Sequence, residues 1–220
     1  MPAIFDILPT PAESPWSYTL VPVIIICSII GFYYKPFFYK LLLHPYEICR
    51  GKRWHTLFTS ALIHRSWIHL LVNVVLIYAL LYDLFGLIKQ EYGTTAAYLL
   101  SVLIIICLVI IPNLFQTYIK KDDFTYTAVG ASGLTFGLYG FSFLYYPLQK
   151  MSSFWIEAIK VSAQFWLAVL IVILLLSFVP KSKVNKGLHI FAFLLGSVLA
   201  FCVRPPAFIE FINSFKSIFQ

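Results

Sequence analysis

Charge is in short supply. Only 11% of the 220 residues are Asp, Glu, Lys or Arg, against about a quarter in a soluble domain. With 60% apolar residues and a mean hydropathy of +0.86, that scarcity excludes an ordinary soluble fold. A bilayer is the natural solvent for such a chain, and the same figures exclude disorder. Dense basic runs are also missing. The nearest are Lys52-Arg53 and Lys120-Lys121, so the net charge of +7 reads as contact with lipid headgroups and not as a nucleic-acid surface. Cysteine is limited to Cys27, Cys49, Cys107 and Cys202. Three of these lie in apolar runs and none forms a C-x-x-C pair, which argues against a disulfide framework or a zinc site. No internal repeat or inverted pair of broken helices stands out, which weakens the case for a secondary transporter. Residues 1–17 hold no Lys or Arg, so the first apolar stretch is not expected to be a signal peptide.

What the chain does have is six apolar stretches, at about Tyr18–Tyr34, Thr59–Leu81, Ala96–Ile111, Gly130–Tyr146, Val161–Val179 and Leu188–Val203. Each is near the ~20 residues a helix needs to cross the hydrocarbon core. The runs are continuous and not alternating, and lipid admits only helices or closed barrels. The expected fold is therefore an all-α membrane protein, a bundle of six transmembrane helices. A short tail is expected over 1–17, the membrane domain over 18–205 and a second short tail over 206–220, where Pro205-Pro206 and Glu210 make a seventh span unexpected. The segment from Lys35 to about Phe58 mixes aromatics, prolines and basic residues and suits the membrane interface.

Polar residues inside spans are costly and mark candidate sites. Three clusters qualify, each at the start of an even-numbered helix. In the second stretch, His69 and Asn73 stand at i and i+4 and share a face, with His64 further up and nearer the surface. Alone, such a pair reads as interhelical hydrogen-bonding glue. The fourth stretch opens Gly130-Ala131-Ser132-Gly133. A serine between glycines is open to close approach, and at a helix N-terminus backbone N–H groups can hold an oxyanion. Gly133, Gly137 and Gly140 add a small-residue stripe, which alone signals only packing. The sixth stretch carries His189 with Ala192 and Gly196 at i+3 and i+7.

The combination says more than its parts. Helices two, four and six begin on the same side of the membrane whichever way the chain inserts, so His69, Asn73, Ser132 and His189 fall in the outer turns of one leaflet. Packing of the glycine stripe on Ala192 and Gly196 would bring Ser132 and His189 within reach. A nucleophile, a base and side-chain donors are the parts of an acyl-transfer site. No metal and no cofactor is expected, because no carboxylate or thiolate converges on His64, His69 and His189 by spacing and there is no nucleotide-binding loop.

Taken together, the H-x4-H-x3-N run of His64, His69 and Asn73, the G-x-S-G of Gly130–Gly133 and His189 on the sixth helix resemble the rhomboid intramembrane serine proteases, from about Tyr18 to Pro205. The run Arg50–Thr59 resembles the end of that family's first loop. The resemblance implies Ser132 as nucleophile and His189 as general base, a dyad without a carboxylate. It implies an oxyanion hole from the Ser132 N–H and the side chains of His69 and Asn73, and Phe136 as an aromatic packed on the catalytic histidine. It further implies transmembrane proteins as substrates, the lipid bilayer as surroundings, and residence in a bacterial cytoplasmic membrane with the active site on the non-cytoplasmic side. Helix five, with Phe154, Trp155, Phe165, Trp166 and Phe178, would be the lateral gate or simple lipid-facing bulk.

Where members usually carry Ala before the helix-six histidine and Gly three residues after it, this chain has Leu188 and Ala192. With both termini in the cytoplasm, only 5 of the 16 basic residues fall on the inner side, so the positive-inside rule favours the opposite topology. The alternative function is a rhomboid-like membrane binding or chaperone protein without proteolysis. Such relatives usually lack the Ser or the His that this chain keeps. A channel or transporter would require acids in the central portions of the spans, where there are none.

Overall fold

A computed structural model of the chain describes residues 8–151, 159–178 and 185–216. Phe154, Trp155, Val179 and the outer ends of both tails (1–7 and 217–220) lie outside the described residues. Regular structure among the described residues is helical, with two isolated bridges, Leu43–Ala128 and Lys150–Val161. The helices are α1 (Pro15–Tyr33), α2 (Lys35–Leu41), α3 (Pro45–Ile48), α4 (Thr56–Thr59), α5 (Trp67–Ile119), α6 (Ser132–Tyr145), α7 (Ser162–Ser177), α8 (Lys186–Val203) and α9 (Pro206–Lys216). The protein is an all-α membrane protein. Among the described helices, α1, α5 and α8 are long and apolar enough to cross a bilayer, and α7 is a shorter apolar helix.

The chain divides into two compact units, Met1–Thr135 and Phe136–Gln220, with the boundary one turn into α6. In the first unit, α1 opens with Pro15 at a position where a missing N–H costs nothing. Its buried residues, Ser17, Val21, Ile24, Ser28 and Gly31, recur every three or four positions and form one stripe against α5. Three of the five are Ser or Gly, which lets backbones come close: the Ser17 hydroxyl donates to the Tyr78 carbonyl at 2.7 Å. Val23, Ile26 and Ile30 point outward and are exposed.

The second and third apolar stretches are the two helical arms on either side of a kink. α5 runs from Trp67 to Ile119 and turns at Gly93, where φ is +81° and ψ 175°. Glycine takes that conformation without a Cβ penalty, so the two arms join with no intervening loop. Between α2 and α5, a small apolar core of Leu43, Ile48 and Leu57 with Ala128 organises the first loop. Arg53 is its polar hub. The guanidinium pairs with Glu47 at 3.2 Å and donates to the carbonyls of Tyr39 and of Leu42, the latter at 3.0 Å.

The sequence placed Thr59–Ser66 in the second helix, and here the structure differs. α4 ends at Thr59, a 3-10 turn covers Ser60–Leu62 and α5 begins only at Trp67. The cause is local: Ser66 is extended, and its hydroxyl accepts the His69 N–H at 3.3 Å, capping the new helix start.

In the second unit, α8 packs along α6 and against α7 and α9. At the start of α7 the Gln164 side chain reaches back and accepts the Lys160 N–H at 2.7 Å. Trp166 on α7 stacks on Phe193 and donates its indole N–H to Ser197 at 2.8 Å, giving the ring's polar edge a partner inside an apolar contact. Beyond α8 the second tail forms α9. Arg204 fastens it, pairing with both carboxylate oxygens of Glu210 at 2.8 and 2.6 Å and donating to the Tyr145 carbonyl at 3.1 Å.

Candidate active site

In the first unit, the backbone that leads into α6 is held at nearly every step. Ala128 exchanges two hydrogen bonds with Leu43, at 2.9 and 3.1 Å. The Gly130 N–H donates to the Ser60 carbonyl at 2.9 Å, and the Ala131 N–H donates to His64 Nε2 at 3.2 Å. The Ala131 carbonyl then accepts the Thr135 N–H at 3.0 Å, the first bond of the helix. Ser132 is the first residue of α6 and is half-buried. Amide hydrogens of a helix's first turn point out of its N-terminus, where negative charge is favoured.

Gly130 is required twice over. Its φ of +112° disfavours any side chain. A Cβ there would also meet the His69 ring at 2.5 Å, far inside contact distance. Thus the glycine before the serine and the histidine of α5 are fitted to each other. Gly133 meets a different neighbour from the rest of its stripe. A Cβ on it would touch Pro112 at 3.6 Å and the Leu108 carbonyl at 3.8 Å. Pro112 has no N–H to give Leu108, so α5 lacks that helical hydrogen bond there.

His69 and Asn73 share a face of α5, and their side chains are orientated by neighbours. The His69 ring stands edge-on to His64, with centroids 4.8 Å apart. Asn73 is buried. Its Nδ2 donates to the His69 carbonyl at 2.8 Å, and its Oδ1 accepts the Thr135 hydroxyl at 2.8 Å. A hydroxyl donor on one side and a carbonyl acceptor on the other fix which end of the amide is nitrogen. The nitrogen carries a second hydrogen beyond the one given to His69. His64 does not lie near the surface, as its place in the sequence suggested: it is 0% exposed, between the 3-10 turn and α5.

In the second unit, Asn185 caps α8 by accepting the Leu188 N–H at 3.4 Å, which sets His189 in the first turn. The Phe136 ring stacks on His189, with centroids 4.2 Å apart and planes 25° from parallel. Further along the seam, backbones touch. A Cβ on Gly196 would lie 1.8 Å from the Gly137 carbonyl oxygen, and one on Gly140 would lie 2.0 Å from the Phe193 carbonyl oxygen. Ala192 is fully buried between His189 and Gly196. Only Gly at these positions permits the approach that lets Phe136 reach His189.

A family model described as a rhomboid domain matches residues 51–206. The chain belongs to the rhomboid family. A search of curated proteins returns no match. Rhomboids are generally intramembrane serine proteases that act on transmembrane substrates within the membrane, and this rhomboid is an integral membrane protein. The match takes in every residue named above as a candidate.

Sequence reasoning missed the residues that hold the candidates. Thr135, which orientates Asn73, sits three residues after Ser132, and helical spacing alone does not reveal that it faces α5. Ser60 and Asn113 were also passed over. Asn113 Nδ2 donates to the Leu57 carbonyl at 2.7 Å and to Ser60 at 3.2 Å, tying the first loop to α5. An Asn one residue after a proline, just past the third apolar stretch, was the available signal.

Proposed function

We propose that this rhomboid is an active intramembrane serine endopeptidase that cleaves transmembrane segments of other membrane proteins. Ser132 is the nucleophile and His189 the general base. His189 takes the Ser132 hydroxyl proton as Oγ attacks the scissile carbonyl carbon. The tetrahedral oxyanion is held by the Ser132 N–H, the His69 ring and the second Nδ2 hydrogen of Asn73. Collapse breaks the C–N bond, with His189 returning the proton to the leaving amine. Water, deprotonated by His189, then releases the acyl group and regenerates the serine.

The observation that carries this reading is the stack of Phe136 on His189. Phe136 follows Ser132 by one helical turn, so the two side chains share a face of α6. The stack also supplies what a dyad lacks, since no carboxylate is needed to orientate a ring already held by another. The clamped loop before Ser132 and the paired amide of Asn73 support it from the first unit. By family likeness, the active side is the non-cytoplasmic face of a bacterial cytoplasmic membrane.

The test is cleavage of a tagged model transmembrane substrate by the purified full chain, in detergent and in liposomes. Wild type is expected to cut, whereas Ser132→Ala and His189→Asn leave the substrate whole while melting as wild type does. Cleavage by pure Ser132→Ala refutes the mechanism. Inert wild type across several substrates in liposomes points instead to a rhomboid-like binding protein.

A further inference from the structure

The buried His64 has no part in the proposed chemistry, yet both its ring nitrogens are engaged across three elements. We propose that His64 is a positioning residue: it sets the turn that presents Ser132, as the end of a relay running from Ser28 on α1 to the Ala131 amide. The inference rests on the reading of Ser132 as the nucleophile.

The direction of the relay follows from donor chemistry. A backbone N–H can only donate, so the Ala131 amide, 3.2 Å from Nε2, requires a lone pair on that nitrogen. The neutral ring must then carry its proton on Nδ1. Nδ1 lies 3.0 Å from the Ser28 hydroxyl oxygen, which accepts it, and the hydroxyl passes its own proton to the Leu62 carbonyl at 3.1 Å. Ser28 and His64 each donate and accept once, out of contact with solvent: both are 0% exposed. A ring protonated on both nitrogens would set N–H against N–H at Ala131. Buried networks of this kind are strong when complete and costly when one member is lost.

The Ala131 amide is a critical point to hold. The peptide plane before Gly130 is pinned by Ser60 and the plane after Ala131 by Thr135. Between them lies the Gly130–Ala131 plane, next to a glycine at φ +112°, the most permissive residue in the loop. His64 is the group that pins this plane. If it is removed, the turn is free to relax about Gly130, and the Ser132 hydroxyl and N–H move with it. An error of about 1 Å in a reacting group costs on the order of a hundredfold in rate.

Two measurements on the full chain in detergent test this. In the first, ring-15N-labelled histidine spectra, with His64 identified by its loss in His64→Gln, report the tautomer. The relay requires Nδ1–H at neutral pH, and either Nε2–H or a doubly protonated ring overturns it. In the second, substrate cleavage is compared across variants. His64→Phe, which keeps the ring but has no acceptor, is expected to lower kcat by about tenfold or more while KM stays within about twofold of wild type. His64→Gln, with an acceptor at the ε position, is expected to recover much of that loss. Ser28→Ala should lower kcat less, and Ser28→Thr should restore it. Wild-type kcat in folded His64→Phe overturns the proposal. If that variant does not fold, Ser28→Ala with wild-type kcat and tautomer overturns it instead. Wild type that cleaves nothing refutes the protease reading, and the tautomer spectrum then decides the relay alone.

Discussion

Two glycines on α8 are expected to respond in opposite directions to the same substitution. A methyl group on Gly196 would sit 1.8 Å from the Gly137 carbonyl oxygen, where ordinary contact begins near 3.4 Å. The atoms in conflict are backbone, so no rotamer relieves them, and α6 and α8 must part by about 1.6 Å at this point, the difference between those distances. A gap of even 0.5–1 Å forfeits about a quarter to a half of each dispersion contact along the seam. Overpacking a tight core costs ~1–3 kcal/mol, and a backbone clash belongs at the upper end. With about 2–4 °C of Tm per kcal/mol for a chain of this size, Gly196→Ala should melt about 6–12 °C below wild type. Gly187, nine residues earlier in the first turn of the same helix, has nothing within 4 Å of its would-be Cβ. There, alanine only restricts the unfolded chain, so Gly187→Ala should melt at or above wild type, by up to ~1 kcal/mol. The assay is a thermal melt of each full-length variant in one detergent, followed by substrate cleavage. Gly196→Ala should also lose activity, because spreading the helices withdraws Phe136 from His189. A Gly196→Ala protein as stable as wild type, or a Gly187→Ala protein that loses as much, refutes the account of this seam.

Other expectations follow from the first unit and from α9. Gly130→Ala should abolish cleavage, since both its φ and the His69 ring exclude a side chain; reducing the ring in a His69→Ala/Gly130→Ala protein removes the clash but not the strained φ, so stability should return only in part. Asn73→Ala should slow cleavage by ~10²–10³, the usual loss for one oxyanion donor, and equal activity would remove Asn73 from the site. Thr135→Val leaves Asn73 in place with only its bond to the His69 carbonyl, and kinetics should show a smaller fall in kcat than in Asn73→Ala. Arg204→Ala should lower Tm more than Glu210→Gln, because it also removes the bond to Tyr145 and the cation–π contact with Tyr146 at 4.4 Å. The reverse order in melting would show that the carboxylate, not the arginine, organises α9.

The apolar runs determine by themselves that the chain is helical and membrane-embedded, because lipid leaves a backbone no other way to satisfy its polar groups over such lengths. Sequence spacing also brought His69 and Asn73 to one face, which follows from 3.6-residue geometry, and the opening of the fourth apolar stretch put Ser132 near a helix start. The error in the helix bounds lies at the start of the second helix. Thr59–Ser66 was read as the opening of the second helix, but it carries polar residues and Arg65, and the helix begins only at Trp67 once Ser66 caps α5. Tertiary structure alone decided that His64 is buried, that Thr135 orientates Asn73, and that Gly130 is fitted to His69. Those are contacts between residues more than 60 positions apart, and periodicity records which face of a helix is polar but not which neighbour it meets.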